Sequence, residues 1–69
     1  MTYAEDYLAL AARKVDEAVQ ARLHFGHETA NQLLREAAQL YMDAGEFAEA
    51  QTCRMLITTN ILHNVAPFR

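Results

Sequence analysis

Glycine and proline are almost missing from this chain, with two and one in 69 residues. Folds rich in loops or strands need more of both, so their scarcity points to an all-helical chain with few connections. Cysteine occurs once, at Cys53, which rules out an intrachain disulfide and suits a reducing compartment. No basic stretch followed by an apolar run stands at the start of the sequence, and no segment approaches the ~18 unbroken apolar residues of a membrane span. These absences together read as a cytoplasmic chain that does not enter a membrane. Excess positive charge is missing as well. A formal charge of −3 argues against a nucleic-acid backbone as the main partner. There is no glycine-rich phosphate loop and no nucleophile elbow.

What remains is small and apolar. Hydrophobic residues make up 52% of the chain, many of them alanine. At this length one core supplies only roughly 3–5 kcal/mol unless a metal, a disulfide or a partner adds to it. The charge is distributed unevenly. Glu28, Glu36, Asp43, Glu46 and Glu49 face Arg35 alone between residues 28 and 52, while residues 53–69 carry Arg54 and Arg69 with no acid. Such an acidic stretch is either a solvated helix face or a surface complementary to a basic partner.

The periodicity predicts a single domain of two to three helices, at about 3–25, 28–44 and 46–63, with a tail at 64–69. Thr2-Tyr3-Ala4-Glu5 has the spacing of a capping box for the first helix. Ala4, Leu8, Ala11, Val15 and Ala18 then recur at steps of three and four. Leu8, Ala12, Val15, Val19 and Leu23 make a second, overlapping stripe. Small residues dominate both, so a neighbouring helix can approach closely. Gly26 either caps this helix or is carried inside one long rod, at a cost of about 1 kcal/mol. The second helix starts at the capping box Thr29-Ala30-Asn31-Gln32 or nearer His27. Its apolar face is Ala30, Leu33, Leu34, Ala37, Ala38, Tyr41 and Ala44. Gly45 ends it, and Glu46 and Glu49 suit the positive end of the next helix dipole. Phe47, Ala50, Arg54, Ile57 and Ile61 follow at helical steps. A glycine cap followed by acids at the next start predicts an antiparallel helical hairpin around Gly45, preceded by the N-terminal helix.

Tyr41, Gly45-Glu46-Phe47 and Ala50, at these spacings, resemble the centre of a tetratricopeptide repeat over residues 31–57. The resemblance implies that Leu34, Ala38, Tyr41 and Ala50 pack two helices together, and it implies protein binding. The chain departs from that family at Arg54, where an aromatic is usual, and at Leu62, where a proline is usual. It holds one such unit, whereas a stable array needs about three.

After Arg54 the apolar residues Met55, Leu56, Ile57, Ile61 and Leu62 point in several directions around one helix. A helix apolar on all sides is expected to be buried on all sides. Each aliphatic side chain left in water forgoes roughly 1.5–3 kcal/mol. The expectation is therefore a homodimeric bundle with a two-fold axis and helix 3 or helix 1 in the seam, Met55, Leu56, Ile61 and Leu62 being the candidate residues on helix 3, against the alternative of a monomer with an adhesive last helix. The tail residue Phe68 either folds back or reaches a partner.

Chemistry is thinly represented. His24, His27, His63 and Cys53 are the only imidazole or thiol ligands, and their spacing matches no zinc motif. Cys53 reads as a small buried hydrophobe. The adjacent acids Glu5-Asp6 and Asp16-Glu17 splay apart on a helix. The expectation is no enzyme, no metal and no cofactor. A DNA-reading helix-turn-helix is disfavoured because Glu46 and Glu49 would face phosphates. What is left is a protein partner, met through Asp43, Glu46, Glu49 and Phe68. In size and class the chain resembles the small helical proteins by which phages take over host regulation, anti-quorum-sensing proteins among them. That resemblance implies an inhibitor seated on the DNA-binding domain of a transcription regulator, and a pilus-assembly ATPase as a further partner. An adaptor or co-chaperone subunit of a helical-repeat complex is the alternative.

Overall fold

The computed structural model describes residues 3–65, with side chains from residue 6 to residue 62. Helix α1 runs Tyr3–His24, α2 runs His27–Asp43 and α3 runs Phe47–Val65. There is no strand among the described residues. The helices read from sequence agree with these to within two residues at each end. The largest difference is at the end of α3, which continues to Val65. Pro67 restricts only the residue before it, Ala66, so nothing stops the helix at residue 63. The capping box at Thr2, and the tail with Phe68, lie outside the described residues.

Gly26 separates α1 from α2. The N–H groups of Phe25 and Gly26 both donate to the carbonyl of Ala21, at 2.6 and 2.9 Å. Gly26 has φ 103° and ψ 177°, a conformation open essentially to glycine alone. A single rod through this point is thereby excluded. The carbonyl of Gly26 accepts from the N–H of Ala30, so α2 starts at His27, the earlier of the two candidate starts. No side chain caps it.

Gly45 closes α2 in a second way. Its N–H donates to Met42 at 3.0 Å, and the N–H of Glu46 donates to Tyr41 at 2.8 Å. This pair of bonds is the Schellman motif, which satisfies two end carbonyls and needs a left-handed residue. Gly45 supplies it, with φ 81°.

Packing follows from the alanines. Ala11, Ala18 and Ala21 of α1 and Ala30, Ala37 and Ala38 of α2 are all buried, none more than 5% exposed. Leu34, Tyr41, Ala50 and Cys53 complete the core. Alanine seams let helix axes come to the near end of the usual 8–10 Å range. They also bury little area each, and among the described residues no large side chain is fully enclosed. Residues about equally far from each glycine meet across the helices. Lys14 Nζ bonds Glu36 Oε1 at 2.8 Å across α1 and α2, and Asn60 Nδ2 donates to Asn31 Oδ1 at 2.9 Å across α3 and α2.

Helix α2 is thus the central element. α1 and α3 flank it and scarcely touch each other. The thinnest dimension is 11 Å across the Cα atoms. Two stacked helix layers would need about 13–15 Å, from an 8–10 Å axis separation and a Cα cylinder of about 4.6 Å. The three helices therefore form a single layer, with a shallow trough between α1 and α3 whose floor is covered by side chains.

The buried face of α3 differs from the expected one. Ala50, Cys53 and Asn60 are buried and Ile57 is half-buried. Phe47, Arg54 and Ile61 are exposed, Phe47 at 63%. The helix is turned so that its smaller residues meet α2, which brings the axes closer than Phe47 or Arg54 would permit.

Candidate interaction surface

The residues with potential chemistry do not converge. Cys53 is buried between α2 and α3, where burial, reinforced by Glu49, pushes its thiol pKa up and keeps it protonated. His24 lies at the end of α1 and stacks edge-on against Phe25. His27 opens α2, and its Nδ1 is buried without a hydrogen-bond partner. It borders a polar hollow of about 510 Å³ with Glu28, Asn31, Gln32, Arg35 and Ile61. The side chain of His63 is outside the described residues. Among the described residues no group of three or more His, Cys, Asp or Glu is placed to hold a metal ion. No described helix is long and apolar enough to cross a membrane.

The trough offers more. Between the outer helices lies a cleft of about 50 Å³ lined by Ala18, Val19 and Arg22 of α1, Leu34 of α2, and Leu56 and Asn60 of α3. Leu34 is the floor, at 3% exposure. Val19 and Leu56 are the walls, at 54% and 39%. Residues seven apart on a helix drift by only about 20°. Ala12, Tyr41 and Glu49 therefore continue these three lines two turns toward Gly45. In this way α1 uses both of its sequence stripes. Ala11, Ala18 and Ala21 are buried in the core, Val19 borders the cleft, and Ala12 and Leu23 of the second stripe are exposed.

The Gly45 end of the trough is acidic. Burial, together with the nearby carboxylates of Glu49, Asp16 and Glu46, raises the pKa of the Tyr41 hydroxyl. Asp43 stands on the opposite side of the turn, where Gln39 Nε2 donates to its Oδ1 at 2.9 Å. Glu46 and Glu49 are exposed and, among the described residues, enter no ion pair. The ion pair that is formed joins Lys14 to Glu36 between α1 and α2. That hydrogen bond raises the lysine pKa. The same bond, with a second from Gln32, lowers that of Glu36.

The four residues expected at a dimer seam divide between two sides of α3. At 100° per residue, Met55, Ile61 and Leu62 span about 120° of arc, and Phe47 falls within it. All four are exposed, from 45% to 63%. Leu56 points the other way, into the trough. Sequence reasoning placed Glu49 and Leu56 in separate roles and missed Val19, Leu34 and Tyr41 as their neighbours. The signal was present in the double stripe of α1, since a helix with two apolar faces has two surfaces to cover.

Fold and surface together define a small three-helix protein with exposed apolar side chains on α1 and α3. Compared with protein-family models, with curated proteins and with solved structures, the chain matches none.

Proposed function

We propose that this chain is a non-enzymatic protein-binding module, a small dimeric inhibitor that occupies a basic surface of a partner. The DNA-binding domain of a transcription regulator is the kind of surface it suits, as for a phage-type anti-activator of quorum sensing. The observation that carries this reading is the acidic end of the molecule. Asp43, Glu46 and Glu49 are exposed around Gly45, and Glu46 and Glu49 form no ion pair among the described residues. Unpaired carboxylates next to exposed apolar side chains favour a basic protein surface through complementarity and faster encounter.

In this reading α1, α2 and α3 form two successive antiparallel hairpins, turning at Gly26 and Gly45. Two copies then join through the outer side of α3, covering Phe47, Met55, Ile61 and Leu62. A domain whose core is mostly alanine gains most from covering such residues.

The test is competition. The chain is titrated into a complex of such a DNA-binding domain with its operator, and DNA release is followed by gel shift. Release is expected from the native chain, and none from Glu46→Lys with Glu49→Lys, whose helicity stays native. Unchanged release by the double variant removes the reading. The seam is tested by mass in solution. Leu62→Asp should give a monomer or an unfolded chain, and a variant that keeps the native mass places the seam elsewhere.

A second reading, an adaptor subunit of a helical-repeat complex, is favoured by one observation. Leu34, Ala38, Tyr41 and Ala50 are all buried in a layer one helix thick with open edges, and repeat units stack through such edges. It predicts binding to a helical-repeat protein that survives Glu46→Lys with Glu49→Lys.

A further inference from the structure

We infer that the buried Asn31–Asn60 pair is a rotational lock on α3. It holds the helix in the one of two packings on α2 that keeps Arg54 outside and leaves Phe47 and Ile61 on the surface. The lock stands on the packing alone, and its consequence for assembly rests on the seam reading above.

The first argument is that α3 has two faces able to meet α2. The observed face is Ala50, Cys53, Ile57 and Asn60, all buried or half-buried. The other is Phe47, Ala50, Arg54, Ile57 and Ile61, of which Phe47 is 63% and Ile61 45% exposed. At 100° per residue the centres of the two faces lie about 60° apart. Ala50 and Ile57 belong to both, within about 40° of either centre. A sixth of a turn therefore exchanges one packing for the other and keeps the residues they share. Close approach selects the observed face. Apolar area pulls the other way, because turning would cover Phe47 and Ile61 where a cysteine and an asparagine lie now. Arg54 is a weak obstacle to that turn, since its long stem can lie along the seam with the charged head in water. In the observed packing Arg54 borders a surface hollow whose other described lining residues, Gln51, Met55, Thr58 and Thr59, all belong to α3.

The second argument is that the amide pair tells the two packings apart. Asn60 Nδ2 donates to Asn31 Oδ1 at 2.9 Å, with the two residues 3% and 6% exposed. A side-chain tip stands about 5–6 Å from its helix axis, so a sixth of a turn swings it by about the same distance. A hydrogen bond of this kind spans about 2.7–3.2 Å, and the turn breaks it. Asn60 then lies about 100° from the new centre, at the edge of the seam. Asn31 stays beneath α3 without its partner, and a buried amide left unpaired opposes the turn. A buried asparagine fixes register in paired helices through the same penalty on each wrong alignment. Held this way, α3 presents Phe47, Met55, Ile61 and Leu62 on its outer side. Asn31 and Asn60 are thus positioning residues for the seam, although neither belongs to it.

The experiment uses the full chain with Asn31→Ala and Asn60→Ala together, which removes the pair and leaves the observed face small. Cys53 and Arg54 are neighbours that the turn exchanges, so both are read. A disulfide reagent measures access to the Cys53 thiol, and proton nuclear Overhauser effects measure side-chain contact with α2. In the variant, labelling of Cys53 should rise at least tenfold and contacts from Arg54 to α2 should appear, with native helicity. Arg54→Leu with the pair intact should leave Cys53 labelling within twofold of native, because the lock holds even against a fully apolar second face. Should the alanine pair unfold, Asn31→Leu with Asn60→Ala returns part of the lost volume and is read in the same way. Native labelling and native contacts in the paired variant overturn the inference. So does faster labelling without contacts from Arg54, which is loosening and not rotation. A tenfold rise in Arg54→Leu alone also overturns it, by making the arginine the determinant. Mass in solution separates the lock from the seam. With rotation, the dimer dissociation constant is expected to rise at least tenfold. Rotation with unchanged mass leaves the lock standing and removes the outer side of α3 as the seam.

Discussion

The bond between Asn31 and Asn60 is the most demanding feature of the packing. Both amides are buried, at 6% and 3% exposure, and they meet at 2.9 Å across α2 and α3. Replacing one partner leaves the other amide buried without it. The cost is the desolvation of that group, about 1–3 kcal/mol. A domain of this size has roughly 3–5 kcal/mol to lose. At about 4–8 °C per kcal/mol, a 2 kcal/mol loss lowers the melting temperature by about 8–16 °C. Leucine shares asparagine's branched four-atom skeleton but is bulkier, so Asn31→Leu and Asn60→Leu remove the hydrogen bond while keeping the side-chain shape, with some overpacking added. Each single variant should be destabilised by that amount. The double variant should lie within about 1 kcal/mol of the native chain, or above it, because two matched apolar groups leave nothing unpaired. The assay is urea unfolding followed by helical circular dichroism, at one fixed protomer concentration because a dimer unfolds in a concentration-dependent way. If each single variant keeps native stability, or the double variant loses the sum of the two, the pair is not the constraint argued here.

Two further perturbations address the turns and the ion pair. Gly45→Ala meets no atom within 4 Å of the added Cβ, so its cost is the left-handed backbone alone, about 1–2 kcal/mol. Urea midpoints should show that loss with no change in oligomeric mass, and a neutral result would mean the turn relaxes out of φ 81°. The lowered pKa of Glu36, from an ordinary 4.5, supplies stability above that value that is lost as pH falls through the folded-state value. The raised pKa of Lys14 supplies stability below 10.5 that is lost only as pH rises through its higher folded value. The free energy of unfolding should therefore fall less steeply from pH 7 to 3 for Glu36→Gln than for the native chain, and parallel curves would remove the linkage.

Much of the architecture was legible locally. Two glycines with acids or good helix formers after them mark two turns, and each turn needs a positive φ that only glycine adopts readily. The burial of Leu34, Ala38, Tyr41 and Ala50 followed from helical spacing, and that of Cys53 from its residue type. The orientation of α3 did not. Its stripe through Phe47, Arg54 and Ile61 is equally periodic, and the rotation was decided by how closely α3 could approach α2. Asn31 and Asn60 were invisible for a related reason. An asparagine is buried only when a partner satisfies it, and here the partner lies 29 residues away.

The candidate surface divides in the same way. Its acids and its surplus of apolar side chains are properties of the sequence, because composition and charge do not depend on which helix touches which. The joining of Val19, Leu34 and Leu56 into one trough, and the setting of Leu56 apart from Met55, Ile61 and Leu62, were decided by the tertiary structure alone. Helical period states which residues share a side of their own helix. Only the placement of three axes around α2 states which sides of different helices face one another, and which are left open to water.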